Sequence, residues 1–153
     1  MLERLNALAD DITSLQSKLI LLIGPPRSGK TRLLKDLAER RQINVLNVGS
    51  ALGRLLLSVP TARRHLKSAE LLKDLEDGFA TSDRLVLLDN LELLFDRTLH
   101  LNPLDLLKRH AHARRVVATW PGDLHDNRLT YASMGHPEHQ NYAVDGLVPF
   151  RIH

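Results

Sequence analysis

The sequence predicts an α/β fold, a parallel sheet with helices on both faces, and three observations carry that prediction. Short continuous apolar runs, the mark of strands buried on both sides, recur along the chain as "KLILLIG" (18 to 24), "RLVLLDN" (84 to 90) and "RRVVATW" (114 to 120). Segments with helical spacing separate them, and such alternation favours a parallel sheet. The apolar share is 43% but the aromatic share only 4%, so leucine, isoleucine, valine and alanine must build the core.

Each element follows from its local pattern. Leu2, Leu5, Leu8, Ile12 and Leu15 fall on one stripe, which predicts an amphipathic leading helix within residues 1–17. The strand at 18 to 24 comes next, then a helix from Thr31 to Arg41 with Leu33, Leu34 and Leu37 inward. "INVLNVG" (43 to 49) is rich in β-branched residues and reads as a second strand. Ser50 is a suitable cap for a short helix ending near Pro60. A longer helix is expected from Thr61 to Phe79, with Leu66, Leu71, Leu72 and Leu75 as its apolar contacts. The third strand, 84 to 90, leads through "LELLFDR" to Asn102 and Pro103, a cap and first-turn pair for a helix to about His112. The fourth strand is 114 to 120. "RLTYAS" (128 to 133) is expected as the fifth, "GHPEHQNY" as irregular chain, and "GLVPFRI" as a terminal edge strand in which Pro149 is tolerated.

At 153 residues the chain has the length of one domain. It contains no cysteine, which excludes disulfides and thiolate metal sites and fits a reducing cytosol. The first residues carry acids and a helical pattern, unlike a signal peptide, and no apolar run approaches the roughly 20 residues that span a bilayer. A cytoplasmic protein is expected. The net charge of +3 is too small to point to nucleic acid.

Chemistry concentrates between the first strand and the second helix. "GPPRSGKT", Gly24 to Thr31, fits G-x-x-x-x-G-K-[ST] at every fixed position, in the strand–loop–helix context that this phosphate-binding loop requires. Gly24 and Gly29 let the main chain approach phosphate oxygens, Pro25 and Pro26 stiffen the entrance, and the amides from Ser28 to Arg32 add the helix N-terminus. Lys30 is placed to reach the β- and γ-phosphates and Thr31 to ligate magnesium. Arg27 occupies a variable position and reads as a solvated charge. The fold expected is thus the three-layer P-loop NTPase type with a mainly parallel five-stranded sheet.

Asp89, at the end of an apolar strand, is the candidate second magnesium residue; capping the next helix is its alternative role. Asn90 follows it, where P-loop ATPases with an additional catalytic glutamate commonly carry that glutamate. Two roles are open to Glu92, two residues further on: orienting the attacking water, or facing solvent. Thr119 is a candidate sensor of the γ-phosphate, and Trp120 reads as a packing residue at the sheet edge. Arg128 is a candidate arginine finger for a neighbouring subunit. His136 and His139 have a metal-like spacing without a third ligand, which favours a hydrogen-bonded loop over zinc. "KRHAHARR" (108 to 115) reads as a solvated cationic face more readily than as a nucleic-acid contact, and "ARRHLK" (62 to 67) likewise.

Taken in order, "GPPRSGKT", "LVLLDNLELLF", "LNPLDLLKRH", "RRVVATWPG", "LTYAS" and "GHPEH" resemble the BrxF family, small P-loop proteins of type 3 BREX phage-defence systems in bacteria. The likeness runs from about Leu19 to the C-terminus. It implies an AAA-like ATPase core without a helical lid, ATP rather than GTP with Mg2+, and Asn90 as part of the family's own pattern. It further implies partners: a larger ATPase, a methyltransferase and a phosphatase-like subunit, with a homo-oligomer and contact with DNA as further possibilities. The activity implied is ATP hydrolysis, slow because Asn90 follows Asp89. The alternatives are a nucleotide-gated adaptor with little hydrolysis and a small P-loop kinase; against the kinase stands the lack of an arginine-rich lid.

Overall fold

The computed structural model describes residues 1–14, 18–131, 140–143 (main chain only) and 145–152. Thirteen elements carry labels in chain order. They are α1 (Leu2–Asp11), β1 (Leu19–Ile23), α2 (Lys30–Arg41), β2 (Val45–Asn47), α3 (Val48–Leu56), α4 (Arg64–Phe79), β3 (Leu85–Asp89), α5 (Pro103–His110), β4 (Arg115–Thr119), β5 (Asp123–His125), β6 (Arg128–Tyr131), β7 (Gln140–Ala143) and β8 (Val148–Arg151).

Five of the strands form one sheet in the order β2-β3-β4-β1-β8, and every neighbouring pair is parallel. Alternation along β1 sorts the core into two layers. Ile20 and Leu22 point to α1 and α2, joined by Leu5, Ala9, Leu34 and Leu37. Leu19, Leu21 and Ile23 point the other way, toward Leu52 of α3, Leu72 of α4 and Leu107 of α5. All five residues of β1 are buried, as are those of β4, which explains the unbroken apolar run of β1 and the apolar centre Val116 to Ala118 of β4. Each such leucine or isoleucine stabilises the fold by about 1.5–3 kcal/mol relative to exposure.

Several element boundaries depart from the sequence reading, each for a local reason. The helical stripe of α1 stops at Asp11 and tightens into a 3-10 turn, Ile12–Ser14; Leu15 lies outside the described residues. The second strand is only Val45–Asn47, because Asn47 caps α3 by accepting from the Ser50 amide at 3.0 Å. The cap is therefore Asn47, and Val48 and Gly49 are helical. Residues 61–63 form a 3-10 turn before α4 begins. Leu66 is 67% exposed, contrary to its expected inward position, since the inward face of α4 is set by Ser68, Leu72 and Glu76 at four-residue intervals. Asn102 and Pro103 start α5 as expected, with the Asn102 side chain accepting from the Asp105 amide at 3.2 Å, but the α-helix ends at His110.

The largest correction concerns the fifth strand. Arg128–Tyr131 does not join the parallel sheet; it is the centre of a separate antiparallel sheet, β5-β6-β7. Asp126 and Asn127, both at positive φ (49° and 60°), make the two-residue turn between β5 and β6, the backbone that asparagine and aspartate tolerate best. The fifth parallel strand is β8, on the edge beside β1, where Pro149 pairs opposite Leu21 and its missing N–H costs nothing on the open side. The last three residues of "GHPEHQNY", 140–142, belong to β7 (Gln140–Ala143), while Gly135 to His139 lie outside the described residues. Among the described residues, no helix is long and apolar enough to cross a membrane.

Candidate functional site

Strand order builds the site. Because β4 is inserted between β1 and β3, the C-terminal ends of the three strands bring Gly24, Thr119 and Asp89 together along one sheet edge, where ligands of open parallel sheets bind. A cleft of about 290 Å³ opens there, lined by Lys30, Thr31, Asn47, Asp89, Asn90, Glu92, Thr119, Trp120 and Pro121.

The loop from Gly24 to Gly29 is held in a tight turn, with the Ser28 amide donating to the Pro25 carbonyl at 3.1 Å. Arg27 adopts positive φ (63°), and its side chain is exposed. Gly29 also has positive φ (99°), and space around it is open. A Cβ on Gly24 would meet Ser28 Oγ at 2.5 Å and the Ile152 carbonyl at 3.0 Å, so this position tolerates no side chain without displacement. Among the described residues, the amides of Gly29, Lys30, Thr31 and Arg32 have no acceptor. Four orphan donors converge at the start of a twelve-residue helix, whose dipole favours an anion there. Ser28 Oγ is buried and has no partner among the described residues, a further polar group on the loop.

Lys30 Nζ donates to two main-chain carbonyls, Gly24 at 3.0 Å and Trp120 at 2.9 Å. Its half-buried position pushes its pKa below the ordinary lysine value, while Glu92, Asp89 and Asp123 act in the opposite direction. Asp89 Oδ1 accepts three hydrogen bonds: from Thr119 Oγ1 at 2.6 Å, the Asn90 amide at 2.9 Å and Thr31 Oγ1 at 3.2 Å. Among the described residues nothing donates to Oδ2. Asp89 and Thr31 therefore present two hard oxygen groups side by side on the cleft wall, a donor set that suits Mg2+. Asp89 does not cap a following helix; it bonds the amide of its neighbour, and the 3-10 turn Glu92–Phe95 starts from Leu91.

Asn90 sits at positive φ (59°). Its side-chain amide donates to Asn47 Oδ1 at 3.0 Å, and its carbonyl accepts from the Gly49 amide at 3.0 Å. Asn47 is the residue that sequence reasoning missed. An amide side chain ending a short strand was its signal, obscured by reading the strand through to Gly49; the register sets Asn47 opposite Asp89 of β3. Glu92 is exposed, opens the 3-10 turn and lines the cleft near enough to Lys30 to influence its charge. Trp120 packs as expected, fully buried against Phe95, just past the C-terminal end of β4 at the sheet edge that forms the cleft.

The remaining candidates lie elsewhere. Arg128 opens β6 beside the hairpin turn, is exposed, and is not among the residues lining the cleft. Arg32 is exposed and pairs with Asp36 at 3.4 Å on the outer face of α2. His136 and His139 fall outside the described residues, and among those described no group of three potential metal ligands occurs. The cationic run 108 to 115 is not a solvated face throughout. Arg114 and Arg115 are each only 5% exposed. Arg114 bridges Glu76 and Asp77, and Arg115 bridges Asp83 and Asp10, at the sheet end opposite the cleft. Their role is structural. "ARRHLK", in contrast, is exposed apart from the partly covered Arg64.

No protein-family model and no curated protein matches this sequence. Among solved structures the fold is similar to that of C. elegans PCH-2, with a TM-score of 0.53 and 21% identity over 99% of this chain and 41% of that one. A DNA replication initiation factor (TM-score 0.48, 18% identity, 98% and 46% coverage) aligns less well. So does the replication initiator DnaA bound to AMPPCP and single-stranded DNA (TM-score 0.47, 14% identity, 98% and 45% coverage). The chain spans less than half the length of each. Sheet order, loop and the likeness to PCH-2 agree on the architecture: this chain has the three-layer P-loop NTPase fold.

Proposed function

We propose that the chain binds ATP with Mg2+ in the cleft and hydrolyses it slowly. The observation that carries this reading is the set of four amides, Gly29 to Arg32, without an acceptor among the described residues, beside a lysine ammonium. Polyphosphate is the ligand whose charge and oxygen spacing such a cradle matches. Thr31 and Asp89 are the residues that would hold magnesium, which when bound neutralises phosphate charge and fixes the geometry of the chain. Glu92 lines the cleft and is the carboxylate assigned to orienting water; Thr119, bonded to Asp89, is assigned to sensing the terminal phosphate. In the wider reading, drawn from the resemblance of its motifs to the BrxF family, the protein is a cytoplasmic ATPase subunit of a bacterial anti-phage complex. It works there beside a larger ATPase, a methyltransferase and a phosphatase-like subunit, with Arg128 completing a neighbouring copy's site.

One observation favours a second reading. The residue after Asp89 is an amide locked to the amide of Asn47, and an amide cannot take a proton from water. A nucleotide-gated adaptor that binds ATP and barely turns it over would be built this way. Phosphate release under single-turnover conditions separates the two. Hydrolysis lost by at least about tenfold in Glu92→Gln with ATP affinity unchanged supports the slow ATPase. Tight binding with no phosphate released by either protein assigns the adaptor, and no binding by wild type overturns both.

A further inference from the structure

We propose that the Lys30–Trp120 hydrogen bond is a latch through which an occupied cleft loosens the antiparallel sheet β5-β6-β7, so that this sheet is the protein's nucleotide-responsive face. The proposal rests on the nucleotide reading above. Its starting point is a count of donors. A lysine ammonium has three N–H groups, and two are held by the carbonyls of Gly24 and Trp120. Contact with two phosphate groups leaves room for only one carbonyl. Gly24 belongs to the loop that wraps the phosphates and moves with it. Trp120 directly follows β4, a different strand from the one that leads into the loop, and its carbonyl is the one that must be given up.

Trp120 is tied to the second sheet by three features. Its indole N–H donates to the Thr130 carbonyl at 3.1 Å. Its ring meets Phe95 edge-on at 5.3 Å, and Phe95 stacks on Tyr131 at 3.9 Å. Gly122, two residues on, packs so closely against the Thr130 carbonyl that a Cβ there has no space. A shift of Trp120 therefore cannot be absorbed locally; Thr130 and Tyr131, the last two residues of β6, must respond. Arg151 Nη2 bonds the Leu124 carbonyl of β5 at 2.8 Å, tying the same sheet to the edge strand β8. The latch thus joins the phosphate loop to a surface outside the cleft, the sheet that carries Arg128.

Hydrogen exchange of the full chain, with calorimetry run alongside, tests this. A non-hydrolysable ATP analogue with magnesium is expected to speed exchange of residues 123–131 by about threefold or more while amides of β1 and β3 keep their protection. Ligand-free Lys30→Met, which lacks the donor, is expected to show the same acceleration with β1 and β3 again protected. The emission of Trp120, the only tryptophan, should shift in both cases. Unchanged exchange at 123–131 in the calorimetrically saturated wild type, or in ligand-free Lys30→Met, overturns the latch and leaves nucleotide binding standing. Absence of any binding heat overturns the nucleotide reading and the latch with it.

Discussion

At the scale of single residues, the cleft assigns different jobs to groups that touch one another, and substitutions should separate them. Asp89 bonds both Thr31 and Thr119 through Oδ1. Asp89→Asn keeps an acceptor for one hydroxyl but removes the negative charge, so ATP affinity should fall by tenfold or more, roughly, in magnesium and change little in EDTA. An equal loss in both would reduce Asp89 to a structural acceptor. Burial lowers the pKa of Lys30, whereas a bound polyphosphate stabilises the ammonium and raises it. Binding should therefore take up a proton as the pH climbs toward the ordinary lysine range, and affinity should weaken there. Calorimetry in buffers of different ionisation enthalpy reads this directly; proton release, or none at alkaline pH, would contradict the burial argument. The motif residues Gly24, Gly29, Lys30 and Thr31 were legible in the sequence because their chemistry depends on neighbours close in the chain. Asn47 was not, because its partner Asn90 is 43 residues away.

At the scale of elements, the sheet end opposite the cleft is held by buried charge. Glu76 of α4 is fully buried, accepting from Arg114 at 3.3 Å and meeting His110 Nδ1 at 2.5 Å. Arg114→Ala leaves that carboxylate without its guanidinium, and should cost about 3–5 kcal/mol of stability in denaturant melts. A loss below about 1 kcal/mol would place the pair among surface bridges of little weight. Charge spacing alone could not reveal this cluster. Arginines 114 and 115 look like the continuation of a basic helix end, and only the packing of α4 and α5 against the sheet turns them inward. The buried strands β1, β3 and β4 were plain from their apolar runs, since a strand covered on both faces needs no alternation. Strand 128–131 was assigned to the wrong sheet for the complementary reason: its period of two shows a strand but says nothing about which neighbour it pairs with.

At the scale of the whole molecule, three strand ends, one loop and one helix terminus converge on a single cleft, and the rest of the chain fixes their positions. The fold class followed from the alternation of apolar runs and helical stripes; the place of β8 at the sheet edge followed from Pro149, which excludes it from the sheet interior. What the alternation could not supply was the insertion of β4 between β1 and β3, a long-range choice that sets Thr119 beside Asp89 and so makes the cleft. On the proposed reading this cleft holds a nucleoside triphosphate through Lys30 and the amides beside it. Isothermal titration of ATP with magnesium into the wild-type chain and into Lys30→Ala is the decisive experiment. Saturable one-to-one binding by the wild type is expected, with a loss of affinity of about a hundredfold or more in a variant that melts as the wild type does. Equal affinities in the two proteins, or no heat from either, would contradict it.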